Sequence, residues 1–139
     1  MRKKILKILP ALGLTAMLLP AAVSAAGLDG KSSLVCAAVD VVGCKNGPGC
    51  MEGTAKGFGM PQFMFVDFKN QKVNATDESG IDIVSKIRSL EITEQQIILQ
   101  GIENHRGWSA TIDKTNGNMT VSSTGSDVSF MIFGACITR

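Results

Sequence analysis

The sequence predicts one all-β domain, an antiparallel meander of about eight strands curled toward a barrel, with a two-sheet β-sandwich as the alternative. Three observations lead there. Residues 108–122 alternate apolar and polar around Asn116-Gly117, the other runs are short and separated by polar turn residues, and the last run is apolar on both faces. Alternation with a period of two is the mark of a half-buried strand.

Before any strand comes a segment that belongs outside the fold. Arg2, Lys3, Lys4 and Lys7 precede an apolar run from Ile8 to Ala22, and the small residues Ala22 to Ala26 offer an A-x-A-like cleavage site. This is the layout of a secretory signal peptide over residues 1–26, which leaves residues 27–139 as a single domain. Pro20 would break a helix just ahead of the cleavage region, which favours removal over a retained membrane anchor. Removing four of the 14 Lys and Arg leaves 10 cations against all 12 Asp and Glu, so a formal charge of +2 becomes −2. The basic character belongs to the leader, and with it goes the electrostatic case for nucleic acid or an anionic membrane as partner. No later run is long and apolar enough to span a bilayer, so no membrane insertion is expected after cleavage.

The strands follow in order. Leu34 to Val42 is rich in Val and Ala; Gln62 to Phe68 and Lys72 to Thr76 flank a Lys69-Asn70 turn; Ile83 to Ile92 and Gln96 to Ile102 flank another at Thr93 to Gln95. A helix competes over residues 81–99, where Lys86, Arg88, Leu90, Glu91 and Glu94 are good helix formers, and a short helix near Asp77 to Ser85 is the fallback. The β-branched density favours strand. Asn116-Gly117 at the centre of a type I′ turn would set Ile112 opposite Val121 and Lys114 opposite Met119. Trp108, Ala110, Ile112 and Val121 then share one face, with Ser109, Thr111, Asp113, Thr120 and Ser122 on the other. Val128 to Thr138 closes the chain and suits a central position or a closed sheet.

All four cysteines, Cys36, Cys44, Cys50 and Cys136, fall in the exported part, which reads as two disulfides in an oxidising compartment, periplasmic or secreted. Cys36 and Cys44 stand eight residues apart on one extended run, roughly 26 Å at 3.3 Å per residue, and cannot bond to each other. If the sheet closes, the end of the last strand lies beside the start of the first. That pairs Cys36 with Cys136 and leaves Cys44 with Cys50 across a tight Lys45 to Gly49 turn. An open sheet would instead allow Cys36–Cys50 and Cys44–Cys136.

Gly43 to Pro61, with six glycines and two prolines in 19 residues, is the one irregular stretch and the candidate binding loop. Its candidate contacts are Lys45, Asn46, Lys56, Phe58 and Met60. Gly57 and Gly59 lack the third glycine and the following helix of a phosphate-cradling loop. Catalytic signals are thin and no catalytic residue is assigned. Ser109 lacks the second glycine of a nucleophile elbow; His105 falls in a turn-like Glu103 to Gly107 segment; Glu91 and Glu94 flank a turn. One histidine and no Cys-x-x-Cys spacing argue against a metal site, and no cofactor is implied. The sequons at Asn74 to Thr76 and Asn118 to Thr120 read as polar strand ends. Trp108 with Phe63, Phe65, Phe68, Phe130 and Phe133 can line a pocket, although a domain this small is expected to spend them on its core.

The run Cys36-x7-Cys44-x5-Cys50, Pro61-Gln62-Phe63, Ile98 to Glu103, Gly107-Trp108-Ser109, Gly117-Asn118-Met119-Thr120 and Phe133-Gly134-Ala135-Cys136 resembles an uncharacterised family of small secreted proteobacterial proteins. The resemblance covers nearly all of the exported chain. It implies location and layout and no activity. A lipocalin is not supported, because its Gly-x-Trp belongs near the first strand and Gly107-Trp108 comes late. The function expected is a non-enzymatic periplasmic or secreted binding module for an unknown small ligand or an envelope protein. The alternatives are a secreted inhibitor of a hydrolase, whose inhibitory motifs find no match here, and a small hydrolase.

Overall fold

The computed structural model describes residues 27–76, 80 and 82–139. The expected signal segment lies outside them, as does part of the fallback helix; Asp82 to Ser85 is strand. The described residues form nine strands: β1 (Leu34–Lys45), β2 (Gly49–Gly53), β3 (Phe63–Asp67), β4 (Lys72–Thr76), β5 (Asp82–Ile92), β6 (Gln96–Glu103), β7 (Arg106–Asp113), β8 (Asn118–Thr124) and β9 (Val128–Thr138). Their order is β2-β1-β3-β4-β5-β6-β7-β8-β9, with β1 also paired to β9. Eight strands therefore close an antiparallel barrel, and β2 is an extra strand lying on the second half of β1. Closure removes the edges that β1 and β9 would otherwise present to other chains.

The barrel is sealed along β1 and β9, which pair from Leu34↔Thr138 to Lys45↔Val128. One irregularity interrupts that ladder between Ala38 and Asp40, where Val39 is an extra residue, 56% exposed. The bulge restores the inward phase for Val41. Opposite it, Gly134 permits a contact that no other residue could: a Cβ there would lie 2.0 Å from the Ala37 carbonyl oxygen. Cys36 sits directly across from Cys136 and Cys44 across from Cys50, and both pairs are disulfides with Cα atoms 4.0 Å apart. The pairing expected from closure is the observed one, and two disulfides belong to an oxidising environment.

Two local expectations are corrected. Asn116-Gly117 does not form a two-residue turn: β7 and β8 are joined by four residues, and the register is Ile112↔Met119 and Ala110↔Val121. The reason is Asp113, whose carboxylate accepts the backbone N–H groups of Thr115 and Asn116 while the Gly117 N–H bonds to the Asp113 carbonyl. A shift of two residues leaves every side chain on its expected face. The two-residue turn with both central φ values positive is instead Asn104-His105, at 48° and 60°, joining β6 to β7. Gly43 to Pro61 is also less irregular than its composition implies. Its first part is the β1–β2 hairpin, and only residues 54–62 form a loop, around a 3-10 turn at Lys56–Phe58.

The barrel axis runs between two dissimilar ends. The β3–β4, β5–β6 and β7–β8 turns lie at one end, where Leu28, Leu34, Phe68, Ile97 and Ile112 are buried in the core. At the other end stand the β1–β2 hairpin, the 54–62 loop, the β6–β7 turn and the β8–β9 turn. The aromatic residues did not all go inside. Phe68 is core, but Phe63 and Phe133 are 51% and 43% exposed. They lie on the outer face of β3, β1 and β9 with Met131 and Ile137, because their inward neighbours Met64, Ile132 and Cys136 already occupy the opposite phase.

Candidate functional site

Along β6 and β7 the inward positions form a ladder: Ile97 beside Ile112, Leu99 beside Ala110, Gly101 beside Trp108, and Glu103 beside Arg106. Reading upward, the rungs change from two large aliphatic chains to one large and one small, then to an indole over a glycine, then to a charged pair. The same thinning appears around the barrel. Ala38, Ala75 and Ala110 point inward at the upper level, and the space they leave is a cavity of about 330 Å³.

Its floor is Leu99, Ile112, Met119 and Cys36; its walls include Val66, Val73, Val121 and Ile132; its roof is Ala55, Gly59, Met60 and Pro61. The roof is held in shape by its own backbone, with the Met60 N–H bonded to the Ala55 carbonyl at 2.8 Å and the Gly59 N–H to Lys56 at 2.9 Å. Polar groups are few. Ser85, buried to 6% exposure, accepts a hydrogen bond from the Trp108 indole N–H at 2.8 Å and directs its own hydroxyl at the Ile102 carbonyl, 3.4 Å away. This pins the indole flat over Gly101, where a Cβ would lie 2.4 Å from the ring. The remaining polar lining, Glu103, Asn104 and Arg106, belongs to the rim apart from Ser123. The Arg106 guanidinium rests 5.5 Å from the centre of the Phe130 ring.

The candidate loop residues divide. Met60 lines the cavity. Phe58 packs edge-on against Phe130 at 5.8 Å and covers Gly43 and Gly53, bracing the roof from outside. Lys45 and Asn46 are exposed at the tip of the β1–β2 hairpin, and Lys56 is exposed on the roof; none of the three lines the cavity. Ser109 sits on the outward phase of β7, beside Gln100 and Ser122. His105 is exposed in the upper turn, while Glu91 and Glu94 are exposed at the opposite end of the barrel. Among the described residues no three His, Cys, Asp or Glu side chains converge as a metal site would require.

Among the described residues three carboxyl groups are held below the ordinary carboxylate range, and all belong to the closed end. Asp29 accepts from the backbone N–H groups of Ser32 and Lys31, Asp67 from the side chain and backbone of Asn70, and Asp113 from the hydroxyl and backbone of Thr115. They cap turns; the cavity is at the other end.

The residues that sequence reasoning missed are Ala38, Ala75, Ser85, Ala110 and the Glu103–Arg106 rim. A signal for the alanines was available: small residues on the inward phase of a strand leave volume unfilled when the sheet closes. Fold and site together define a closed eight-stranded antiparallel barrel with a packed lower end and an upper cavity. No family model, curated protein or solved structure matches this chain. Among the described residues no helix is long and apolar enough to cross a membrane.

Proposed function

We propose that this protein is a non-enzymatic binding module of the periplasm or the secreted space that takes a small apolar molecule into the upper lumen. The observation that carries this reading is the cavity, whose volume of about 330 Å³ falls at the lower end of the roughly 300–1,000 Å³ typical of ligand sites. A barrel meant only to be stable would fill that space, since empty volume costs about 24 cal/mol per Å³. The aliphatic wall with polar groups gathered at one rim is the usual composition of such a site. Outward faces rich in Ser, Thr, Lys and Asn on β4, β7 and β8 around an apolar lumen are the reverse of a lipid-facing barrel, which supports a protein free of the bilayer. The resemblance to an uncharacterised secreted family agrees with this location and adds no functional residue.

The test uses Trp108, the single tryptophan of the chain. Titration with decanol should give a saturable change in indole emission that Ala110→Phe, which fills the cavity, abolishes. An unchanged spectrum at saturating decanol would reject the lumen as a binding site.

A second reading, an inhibitor or partner of an envelope hydrolase, is favoured by one feature. The β1–β2 hairpin projects at the rim with all five residues of β2 exposed, and the Cys44–Cys50 disulfide braces it as inserted loops are often braced. Deleting residues 46–49 should leave decanol binding intact and remove any such interaction.

A further inference from the structure

We infer that the Glu103–Arg106 rim is a head-group site, and that the lumen takes an aliphatic carboxylic acid with its tail inward and its carboxylate on Arg106. The inference rests on the lumen reading above and adds the chemistry of the ligand's polar end. Three observations carry it. First, the lumen is polarised along its axis, so a molecule with one apolar and one polar end has one favourable orientation: the aliphatic rungs lie below Trp108 and the charged rung above it. Second, among the described residues Arg106 is the only cation lining the cavity, is half-buried, and finds the Phe130 ring as its partner and no carboxylate. A guanidinium in that position keeps its donors for an incoming acceptor, and a carboxylate can take two of them in parallel.

Third, the rim's two charges are not equivalent. Glu103 stands directly across from Arg106 on the same inward face. Arg106 presents a fork of N–H donors, whereas the carboxylate of Glu103 only accepts. An entering carboxylate therefore takes its donors from Arg106 and finds none on Glu103. An entering ammonium meets a positive charge that nothing can remove. The same glutamate opposes a doubly charged head, so a monoanionic carboxylate is favoured over a phosphate.

Indole titrations at neutral pH with decanoate, decanol and decylammonium, each below its micellar concentration, separate the possibilities. Decanoate should bind about ten-fold or more tighter than decanol, the factor expected of one charge-assisted hydrogen-bonded pair, and decylammonium weakest. Arg106→Gln should remove that ten-fold advantage, bringing decanoate to the affinity of decanol or below. Arg106→Lys, which keeps the charge and loses the fork, should retain part of it, and Glu103→Gln should tighten decanoate several-fold. Circular dichroism and decanol binding establish that each variant is folded. Equal affinities for decanoate and decanol, or indifference of decanoate to Arg106→Gln, would overturn the head-group site and leave the lumen reading standing. A preference for decylammonium would overturn it and assign the head to Glu103. If none of the three perturbs Trp108, the lumen reading falls and this inference with it.

Discussion

The two ends of this barrel use the same strands and the same inward phase, yet one is a core and the other a container. At the lower end Ile97 and Ile112 meet at 0% exposure, with Leu34 equally buried and Leu28 and Phe68 closing the base. At the upper end the equivalent rungs carry Ala110 and Gly101, and Ala38 and Ala75 thin the other walls. A barrel of eight strands is just wide enough for side chains to fill it or for one small ligand to replace them. Which outcome occurs is decided here by a few methyl groups per layer, with no change in topology.

The largest test of that contrast concerns the two disulfides. Cys36–Cys136 is buried in the seam at the cavity floor and closes a loop with a sequence separation of 100; Cys44–Cys50 braces the upper hairpin with a separation of 6. In the chain-entropy model the first contributes up to about 4.7 kcal/mol and the second about 2 kcal/mol. Replacing Cys36 and Cys136 by Ala should lower the unfolding free energy in urea by most of the larger figure. Replacing Cys44 and Cys50 should cost much less, and comparable losses would mean that the upper hairpin is as integral as the seam.

Next in size is a pair of substitutions one rung apart. Ile112→Ala, at the packed end, should cost about 2–5 kcal/mol, the range for removing a fully buried aliphatic chain. Ala110→Leu adds methyl groups that enter existing space, so its effect should stay within about 1 kcal/mol. The same Ala110→Leu protein should bind decanol weakly. If it were as destabilising as Ile112→Ala, the upper lumen would be tightly packed and the contrast between the ends would fail.

Much of this was legible in the sequence, for reasons that differ by element. The faces of β7 and β8 follow from alternation alone, and they survived a wrong turn assignment because a slip of two residues preserves the phase. Closure was legible in β9, whose apolar residues on both faces suit a strand with neighbours on both sides, and from closure came the cysteine pairing. The β1–β2 hairpin was not legible, because Gly43, Gly49 and Gly53 read as loop although the disulfide and the Val41 to Lys45 ladder hold them in strand pairing, with only Gly47 in the turn. Phe63 and Phe133 were misassigned to the core for a related reason. Hydrophobicity marks a residue as worth burying, but the phase set by Val66 and Ile132 decides which way it points. The cavity is harder still, since it is a property of what Ala38, Ala75 and Ala110 leave empty across three different strands.

Acid provides a subtler separation of the ends. Asp29, Asp67 and Asp113 have folded-state pKa values depressed below the ordinary 3.8 by hydrogen bonds within their turns, Ser32, Asn70 and Thr115 supplying the leading ones. A depressed carboxyl contributes stability that is fully present above its unfolded pKa and is lost as pH falls through the folded one. The contribution is therefore intact above about pH 4 and fades below it. Since all three groups belong to closed-end turns, protection of the Ser32, Asn70 and Thr115 amides, taken relative to the intrinsic exchange rate at each pH, should fall on acidification through this window. The Asn104-His105 turn at the open end has no such carboxylate cap and should change little. Simultaneous loosening of both ends would indicate global acid unfolding instead.

The smallest effect belongs to that upper turn. Asn104 and His105 adopt φ values of 48° and 60°, the left-handed region that a two-residue hairpin of this hand demands. Asparagine tolerates it through its short polar side chain, and histidine less well, because its Cβ crowds the following carbonyl oxygen. Glycine carries no such penalty, although it loses more chain entropy on folding. His105 is exposed and lines no part of the cavity, so its replacement removes no buried contact. His105→Gly should accordingly stabilise the protein by less than about 1 kcal/mol, and His105→Ala, which keeps the Cβ, should leave stability within about 0.5 kcal/mol of the parent. Both variants should bind decanol as the parent does. A loss of several kcal/mol in either, measured by urea unfolding, would mean that the imidazole supports the rim, and the open end would then owe its shape to more than its backbone.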